Sequence, residues 1–321
     1  MCSAVADDDP EVHRIEFEVP WPPWTAYAYL VASDEPILVD AGAPGEDGWE
    51  ALLDGLESAG YAPEDVEHLL VTHPHTDHDG QVATLLEAAD PTLYVPEGVP
   101  ERLSRDPADL AAVVRANAVE AGHPNPDAAV ERSVDSLRRN ADCLPPEAVD
   151  VVVADGDSFE AGGVTFEAVH VPGHQVNQVA FRAGERLFAG DALIEPFRPA
   201  ALHVGYDRGC FDCVDAFYDG LVRLDGLEVA RVFPGHGPVF SDVAGAVERT
   251  RRDLDALVDD CHLTLERLGE SSPYALTETR VEDPRRIDFS VFESMGALAR
   301  LERHGLVTSA RQDGVRVYRT A

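Results

Sequence analysis

The sequence predicts an α/β fold followed by a smaller, mainly helical C-terminal module. Short apolar runs typical of strands occupy residues 12–39 and 149–188, and amphipathic helical stretches lie between and after them. After Asp242 the composition changes, and a long charged amphipathic segment replaces the short apolar runs. We therefore expect one domain over residues 1–242 and a second module over residues 243–321.

The first group of predicted strands ends just before residue 72. Residues 13–19 alternate polar and apolar side chains, which is typical of a half-buried strand. The next three predicted strands are continuous apolar runs and should be buried: residues 26–32, 37–39 and 68–71. Residues 50–59 have the spacing of an amphipathic helix, and Gly60 supplies a left-handed cap at its end.

The second half of the chain predicts a helical segment, a second sheet and the C-terminal module. Residues 97–140 have a helical composition and form a predicted insertion. The strands predicted for the second sheet are residues 149–153, 164–171, 178–181 and 186–188. In the C-terminal module we expect helices over residues 243–268 and 290–304, followed by a hairpin whose turn is Asp313-Gly314.

Four side chains that can bind a metal directly follow the strand predicted at residues 68–71. They are His73, His75, Asp77 and His78. Imidazole and carboxylate ligands suit zinc, and also iron or manganese. Three more follow in glycine-rich turns: His174, Asp191 and His236. One short motif alone carries a real risk of a false positive, but several in order, each at a predicted strand end, argue against ordinary loop residues.

This set resembles the pattern of the metallo-β-lactamase superfamily, HxHxDH followed by His, Asp and His, over about residues 12–242. The resemblance implies a four-layer αββα sandwich. It also implies two metal ions, Zn²⁺ in the first instance, with Fe or Mn as alternatives. The implied ligands are His73, His75 and His174 for one metal and Asp77, His78 and His236 for the other, with Asp191 bridging both.

The resemblance also implies roles for residues around the ligands. Asp40 lies in an Asp-x-Gly turn, where the carboxylate of family members supports a ligand histidine by fixing its tautomer and orientation. Asp77 is the candidate catalytic residue, because it can orient the attacking water or accept its proton. Gln178 replaces a histidine that many relatives carry. The candidate substrate contacts are Trp24, Gln178, His203 and Tyr206.

The implied reaction is hydrolysis by a metal-bridging hydroxide of a small-molecule ester, thioester or lactone. A cysteine at the second metal would indicate the antibiotic-degrading enzymes, but position 191 is an aspartate. The chain is therefore more similar to the glyoxalase II-like and β-lactamase-like protein 2-like branches. The C-terminal module resembles the winged helix of the second branch, some members of which cleave single-stranded RNA. A ribonuclease is therefore the alternative enzyme, and a winged-helix nucleic-acid-binding regulator is the alternative without catalysis.

The charge of the chain limits its partners and its environment. It has 60 acidic and 25 basic residues, a net charge of −35, and every basic residue is arginine. This composition predicts a halophilic protein, because at about 1 M salt the screening length falls to about 3 Å. The charge disfavours nucleic acid and anionic membranes as partners, although residues 280–321 hold eight arginines against six acidic residues.

The start of the chain and its cysteines favour a cytoplasmic location. Residues 1–10 are polar and acidic, so we expect no signal peptide. No apolar stretch approaches the roughly 18 residues of a membrane helix, and the five cysteines lack the spacing of a disulfide framework. We expect a cytoplasmic enzyme with a small-molecule substrate and no membrane partner, and we leave a homodimer open.

Overall fold

The computed structural model describes residues 10–321 and contains four layers. Residues 1–9, which hold most of the acidic N-terminal stretch discussed above, lie outside the described residues. A six-stranded sheet and a five-stranded sheet pack face to face, and helices cover the outer face of each. This arrangement confirms the predicted α/β fold and the αββα order of layers.

The first sheet contains six strands in chain order. Its first three strands are antiparallel neighbours, and the last four run parallel to one another. Side chains alternate between the two faces of a strand, so Tyr27 and Tyr29 lie between the sheets while Ala28 and Leu30 pack against helices. The strands are β1 Glu11–Glu18, β2 Thr25–Ala32, β3 Ile37–Val39, β4 His68–Leu70, β5 Thr92–Pro96 and β6 Val151–Val153.

Six helices belong to this half of the chain. They are α1 Glu46–Ser58, α2 Thr76–Asp79, α3 Val82–Ala89, α4 Val99–Leu103, α5 Pro107–Ala121 and α6 Pro126–Cys143. Buried leucines such as Leu52 and Leu56 of α1 seal the outer face of the sheet. Gly60 has a φ of 87° and follows α1, as the predicted cap requires. The helical segment predicted over residues 97–140 corresponds to α4, α5 and α6.

The second sheet has the strand order β11-β10-β9-β8-β7. Its strands are β7 Ser158–Ala161, β8 Val164–His170, β9 Val179–Ala183, β10 Arg186–Gly190 and β11 Arg231–Pro234. The prediction that residues 149–153 belong to this sheet is wrong. They form β6, which pairs in parallel with β5 at the edge of the first sheet. A short apolar run specifies a buried strand but does not specify its neighbour.

The remaining helices cover the second sheet and lead into a small third sheet. The elements are α7 Cys213–Asp225, α8 Val243–Leu268, β12 Glu270–Ser271, α9 Pro273–Arg280, α10 Ile287–Arg303, β13 Val307–Gln312 and β14 Val315–Thr320. Their order is compatible with the predicted winged-helix-like module, and Asp313 and Gly314 form the turn of its hairpin. Because α8 and α10 complete the helical layer over the second sheet, the boundary after Asp242 stays a prediction.

The described part of the chain, residues 10–321, contains no helix that is both long enough and apolar enough to cross a membrane.

Candidate metal centre

The predicted ligands meet where strands of both sheets end. The loop after β4 and helix α2 carry His73, His75, Asp77 and His78, while His174, Asp191 and His236 follow β8, β10 and β11. The strand β9 is antiparallel to both β8 and β10, and β11 is parallel to β10. The strands β8, β10 and β11 therefore end at the same edge of the second sheet, and this edge faces the loop after β4.

Three histidines, which we call the first trio, direct ring nitrogens at one another: His73, His75 and His174. Nε2 of His73 lies 3.1 Å from Nδ1 of His75, and Nε2 of His174 lies 3.0 Å from the same atom. Burial lowers the pKa of all three rings, that of His75 to about 3. The rings are therefore neutral at neutral pH, which is the form that binds a metal.

Hydrogen bonds behind the rings decide which nitrogen carries the proton. His174 donates from Nδ1 to the carbonyl oxygen of Ala200 at 2.8 Å. The Thr72 hydroxyl donates its one proton to Oδ2 of Asp40 at 2.9 Å. Nδ1 of His73, which is 3.0 Å from the Thr72 oxygen, is therefore the donor in that contact. Both Nε2 atoms are left as acceptors that face a common point, and a cation suits such a point.

The second trio consists of Asp77, His78 and His236, whose ligand atoms lie within 4.8 Å of one another. Nε2 of His236 is 3.4 Å from Oδ2 of Asp77. Burial alone would lower the pKa of His236, but the carboxylates of Asp191 and Asp77 raise it to about 10. Burial would also lower the pKa of His78, but Asp191 and Asp40 raise this pKa well above its ordinary value.

Asp191 lies between the two trios. Its Oδ1 is 3.4 Å from Nε2 of His78, and its Oδ2 is 3.4 Å from Nε2 of both His174 and His236. Oδ1 of Asp191 and Nε2 of His78 are buried without a hydrogen-bond partner among the residues described. Unsatisfied buried polar atoms are rare in folded proteins, and a cation would satisfy both. The donor set therefore fits metal ions in each trio.

Asp40 connects both trios by hydrogen bonds. Its Oδ1 accepts from the Thr72 backbone N–H at 2.8 Å, and its Oδ2 accepts from Nδ1 of His78 at 2.9 Å. Through Thr72 it also orients His73. Sequence reasoning singled out Asp40 but assigned no role to Thr72, whose only signal is its place between the strand and the ligand motif.

Gly235 is a second residue that sequence reasoning did not assign. A Cβ atom at this position would lie 2.3 Å from Cε1 of His78 and 2.4 Å from Oδ1 of Asp191. Such contacts are far shorter than van der Waals contact, so only glycine lets the loop after β11 approach the second trio this closely. The glycine before His236 in the sequence is the signal that could have indicated this role.

The candidate substrate contacts occupy different places. Trp24 is 59% exposed and directly precedes Thr25, whose carbonyl oxygen accepts a hydrogen bond from Nδ1 of His236 at 2.5 Å. Gln178 is fully buried, and its amide faces the backbone of Ala189, two residues before Asp191. Trp24 is thus accessible, whereas Gln178 supports the loop that carries Asp191.

His203 and Tyr206 lie in the loop between β10 and α7. The backbone N–H of His203 donates to the carbonyl oxygen of His174 at 2.7 Å, and burial lowers the pKa of the His203 ring to about 4. Tyr206 is 3% exposed, and its ring packs edge-on against His123 and Phe292. The structure therefore places His203 beside a candidate ligand and Tyr206 in a buried aromatic cluster.

Comparison with known proteins identifies the family. A family model described as the metallo-beta-lactamase superfamily matches residues 21–236. A lactamase-like protein from Aspergillus niger is 25% identical over 243 residues, which are 74% of this chain and 58% of the relative. An atrochrysone carboxyl ACP thioesterase from Paecilomyces divaricatus is 24% identical over 237 residues, 72% of this chain and 57% of the relative. The chain thus spans less than three fifths of the length of these relatives.

A solved structure is similar over nearly its full length. The metallo-beta-lactamase family protein from Thermus thermophilus superposes with a TM-score of 0.80 at 23% identity, covering 97% of this chain and 98% of the other. At this identity the likeness shows the fold alone. The family match extends over most of this chain and ends at His236, the last of the predicted ligands. The chain therefore belongs to the metallo-β-lactamase superfamily.

Proposed function

We propose that the chain is a dinuclear metal-dependent hydrolase of small-molecule esters, thioesters or lactones. The observation that carries this proposal is the pair of convergent trios with Asp191 between them. The first trio would hold one metal, the second trio the other, and Asp191 would contact both. When bound, two such metals supply Lewis acidity and a water of lowered pKa for attack on an acyl carbon. Imidazole and carboxylate ligands favour zinc, with iron or manganese as alternatives.

Asp77 is the proposed proton-handling residue. Although burial opposes ionisation, the hydrogen bond from His236 holds the pKa of Asp77 at about 2. The carboxylate is therefore ionised at neutral pH and can accept a hydrogen bond from the attacking water. Asp40 has a positioning role, because it touches the ligand residues through His78 and Thr72.

The substrate proposal is an acyl compound, and thioesters are the first class to test. The relative from Paecilomyces divaricatus carries the name thioesterase, which supports this class. The proposed centre needs only an electrophilic acyl carbon within reach of the two trios, and esters and lactones share that feature. We propose thioesters, esters and lactones together because the ligand set does not discriminate between them.

The C-terminal module supports a small-molecule substrate over nucleic acid. A nucleic-acid reader needs a helix free to enter a groove and arginines free to contact phosphates. Here α10 buries nine of its residues. Arg300 and Arg303 of this helix pair with Asp215, and two arginines of the hairpin pair with Glu120 of α5. Single-stranded ribonuclease activity and a nucleic-acid-binding regulator therefore remain the less supported alternatives.

The proposed setting is a salt-rich cytoplasm. It is supported by a net charge of −35 in which arginine is the only basic residue. Self-repulsion of this size is weakened when salt shortens the screening length. A homodimer is compatible with the proposal, and light scattering behind a sizing column distinguishes it from a monomer.

The test is hydrolysis by the zinc-loaded protein in about 1 M KCl, on a panel of acyl thioesters and on single-stranded RNA. Asp77→Ala is the catalytic blank, and Asp225→Ala, an exposed aspartate at the end of α7, is its matched control. We expect thioester turnover by the wild type and by Asp225→Ala but not by Asp77→Ala. RNA cleavage with the same pattern would put the ribonuclease first, and full activity of Asp77→Ala would contradict the role of that residue.

A further inference from the structure

Arg102 of α4 is an arginine without a carboxylate partner in a strongly acidic chain. Within residues 10–321 its side chain makes no hydrogen bond and no ion pair, although the chain holds 60 acidic residues. The nearby carboxylate of Asp207 is occupied by Arg105 and by the backbone N–H of Arg208. Burial lowers the pKa of Arg102. The side chain of Arg102 is half-buried and has no partner among residues 10–321, so its guanidinium is available to a partner that the chain itself does not supply.

The position of Arg102 is fixed against the loop that follows His174. Nδ2 of Asn177 donates to the carbonyl oxygen of Glu97 at 2.8 Å, immediately before α4. Gly98, which caps α4 with a φ of 80°, lies so close to this amide that a Cβ atom would be 2.5 Å from Nδ2 of Asn177. The helix that carries Arg102 therefore lies beside the loop that follows His174.

His203 supplies a second polar group without a partner at the same place. Its backbone N–H donates to the carbonyl oxygen of His174, and its own carbonyl oxygen accepts from Val176 N–H at 3.1 Å. The residue is 8% exposed, and in the described part of the chain its Nδ1 is buried with no hydrogen-bond partner. Arg105, three residues after Arg102, forms an ion pair with Asp207, four residues after His203, so the segments that carry Arg102 and His203 lie next to each other.

We propose that Arg102 and His203 bind an anionic group of the substrate, a carboxylate or a phosphate, beside the first trio. A guanidinium presents a planar fork of donors that fits either group, and charge-assisted hydrogen bonds of this kind are strong. This inference rests on the proposed hydrolase function and narrows its substrate to an acyl compound that carries a negative charge. His203 would keep the charged group at a fixed position relative to His174, because the backbone N–H of His203 donates to the carbonyl oxygen of His174.

Two matched substrate pairs test the site and locate the anion. The first pair is para-nitrophenyl butyrate and the mono-para-nitrophenyl ester of glutarate, which differ by a carboxylate on the acyl side. The second pair is S-butyryl pantetheine and S-butyryl phosphopantetheine, which differ by a phosphate on the leaving group. The quantity compared is kcat/KM of the charged member divided by that of the neutral member. The proteins are the wild type, Arg102→Gln, Arg102→Lys and Arg139→Gln, whose arginine is exposed on α6.

We expect the wild type and Arg139→Gln to prefer the charged member of one pair by at least about tenfold, which is about 1.4 kcal/mol. In Arg102→Gln the ratio should fall to about one. Arg102→Lys keeps the charge without the fork, so its ratio should lie between these values. A preference in the first pair places the anion on the acyl part, and a preference in the second pair places it on the leaving group.

Titration calorimetry with inorganic phosphate provides a readout that does not depend on turnover. Phosphate should bind Arg102→Gln at least about tenfold more weakly than it binds the wild type and Arg139→Gln. Equal phosphate affinities together with equal substrate ratios in all the proteins would overturn the anion site, even if neutral esters are hydrolysed. Absence of all turnover by the wild type would contradict the proposed function, and the phosphate titration would then still decide the anion site.

Discussion

The substitution Asp40→Asn changes a carboxylate that is hydrogen-bonded toward both trios. Asp40 accepts from the amide and the hydroxyl of Thr72 and from Nδ1 of His78. Asparagine keeps the size of the side chain and tolerates the left-handed backbone at this position, where φ is 59°. Its amide, however, replaces one acceptor oxygen by a donor group. At least one of the three donors, two from Thr72 and one from His78, then loses its acceptor, so the orientation of a candidate ligand is less well fixed.

The expected loss follows from these contacts. Removing a hydrogen-bond partner of a metal-bound histidine typically weakens metal binding about 10- to 100-fold, which is about 1.4 to 2.7 kcal/mol. The second trio should lose more affinity than the first, because His78 bonds to Asp40 directly while His73 bonds to it only through Thr72. Hydrolysis should fall accordingly when zinc is limiting and recover in part when zinc is in excess.

Competition with a chromophoric chelator measures the zinc affinity of each variant. Asp90→Asn is the matched control, because Asp90 has a similar left-handed backbone, with a φ of 54°, but is exposed after α3 at the opposite ends of the strands. We expect Asp90→Asn to bind zinc as the wild type does. Wild-type affinity for every bound zinc in Asp40→Asn would refute the reasoning, since the carboxylate would then have no influence on the ligands.

Four further predictions concern the centre, the module and the solvent. Gly235→Ala should abolish zinc binding by the second trio, because its Cβ would lie 2.3 Å from the His78 ring, whereas Gly226→Ala, with 3.6 Å to its nearest atom, should bind zinc normally. Zinc binding by the second trio should release protons near pH 7 and strengthen as pH rises, because its histidines have raised pKa values in the metal-free protein. The first trio is already neutral, so zinc binding there should release no protons. Calorimetry in buffers of different ionisation enthalpy measures the protons released, and equal release by both trios would contradict this prediction. Glu120→Gln should lower the free energy of unfolding by about 1–2 kcal/mol, because it weakens the pairing with the hairpin arginines, while the exposed Glu266→Gln should not, as denaturant unfolding would report. Circular dichroism should show the folded state lost on dilution from about 1 M KCl to low salt, and a fold that is indifferent to salt would contradict the halophilic interpretation.

The convergence of the candidate ligands could be predicted from the sequence because each lies at the end of a strand and in a short motif. His73 and His236 are separated by most of the domain, yet strand ends bring them to one edge of the sandwich. The link from Asp40 through Thr72 to His73 could not be predicted, because it depends on the packing of two parallel strands and not on local sequence. To predict this link, one would need to know the register of β3 against β4.

Dependence on tertiary packing also explains why residues 149–153 were assigned to the wrong sheet and why the sequence did not indicate a role for Arg102. An apolar run of that length is equally compatible with either sheet, and the long helical crossover through α4 to α6 returned it to the first. Arg102 stands in an ordinary amphipathic segment, and only the folded chain shows that its neighbouring carboxylate is already taken by Arg105. Pairing preferences of this kind are properties of tertiary contacts.

The central claim is that two metals, one in each trio, together support hydrolysis of an acyl substrate. The most direct measurement is the rate of thioester hydrolysis as zinc is added stepwise to the metal-free protein, with bound zinc determined in the same samples. The proposed dinuclear centre predicts that the rate increases until two zinc ions are bound per chain and then stays constant. A rate that is already maximal at one bound zinc, or no hydrolysis at any zinc content, would contradict it.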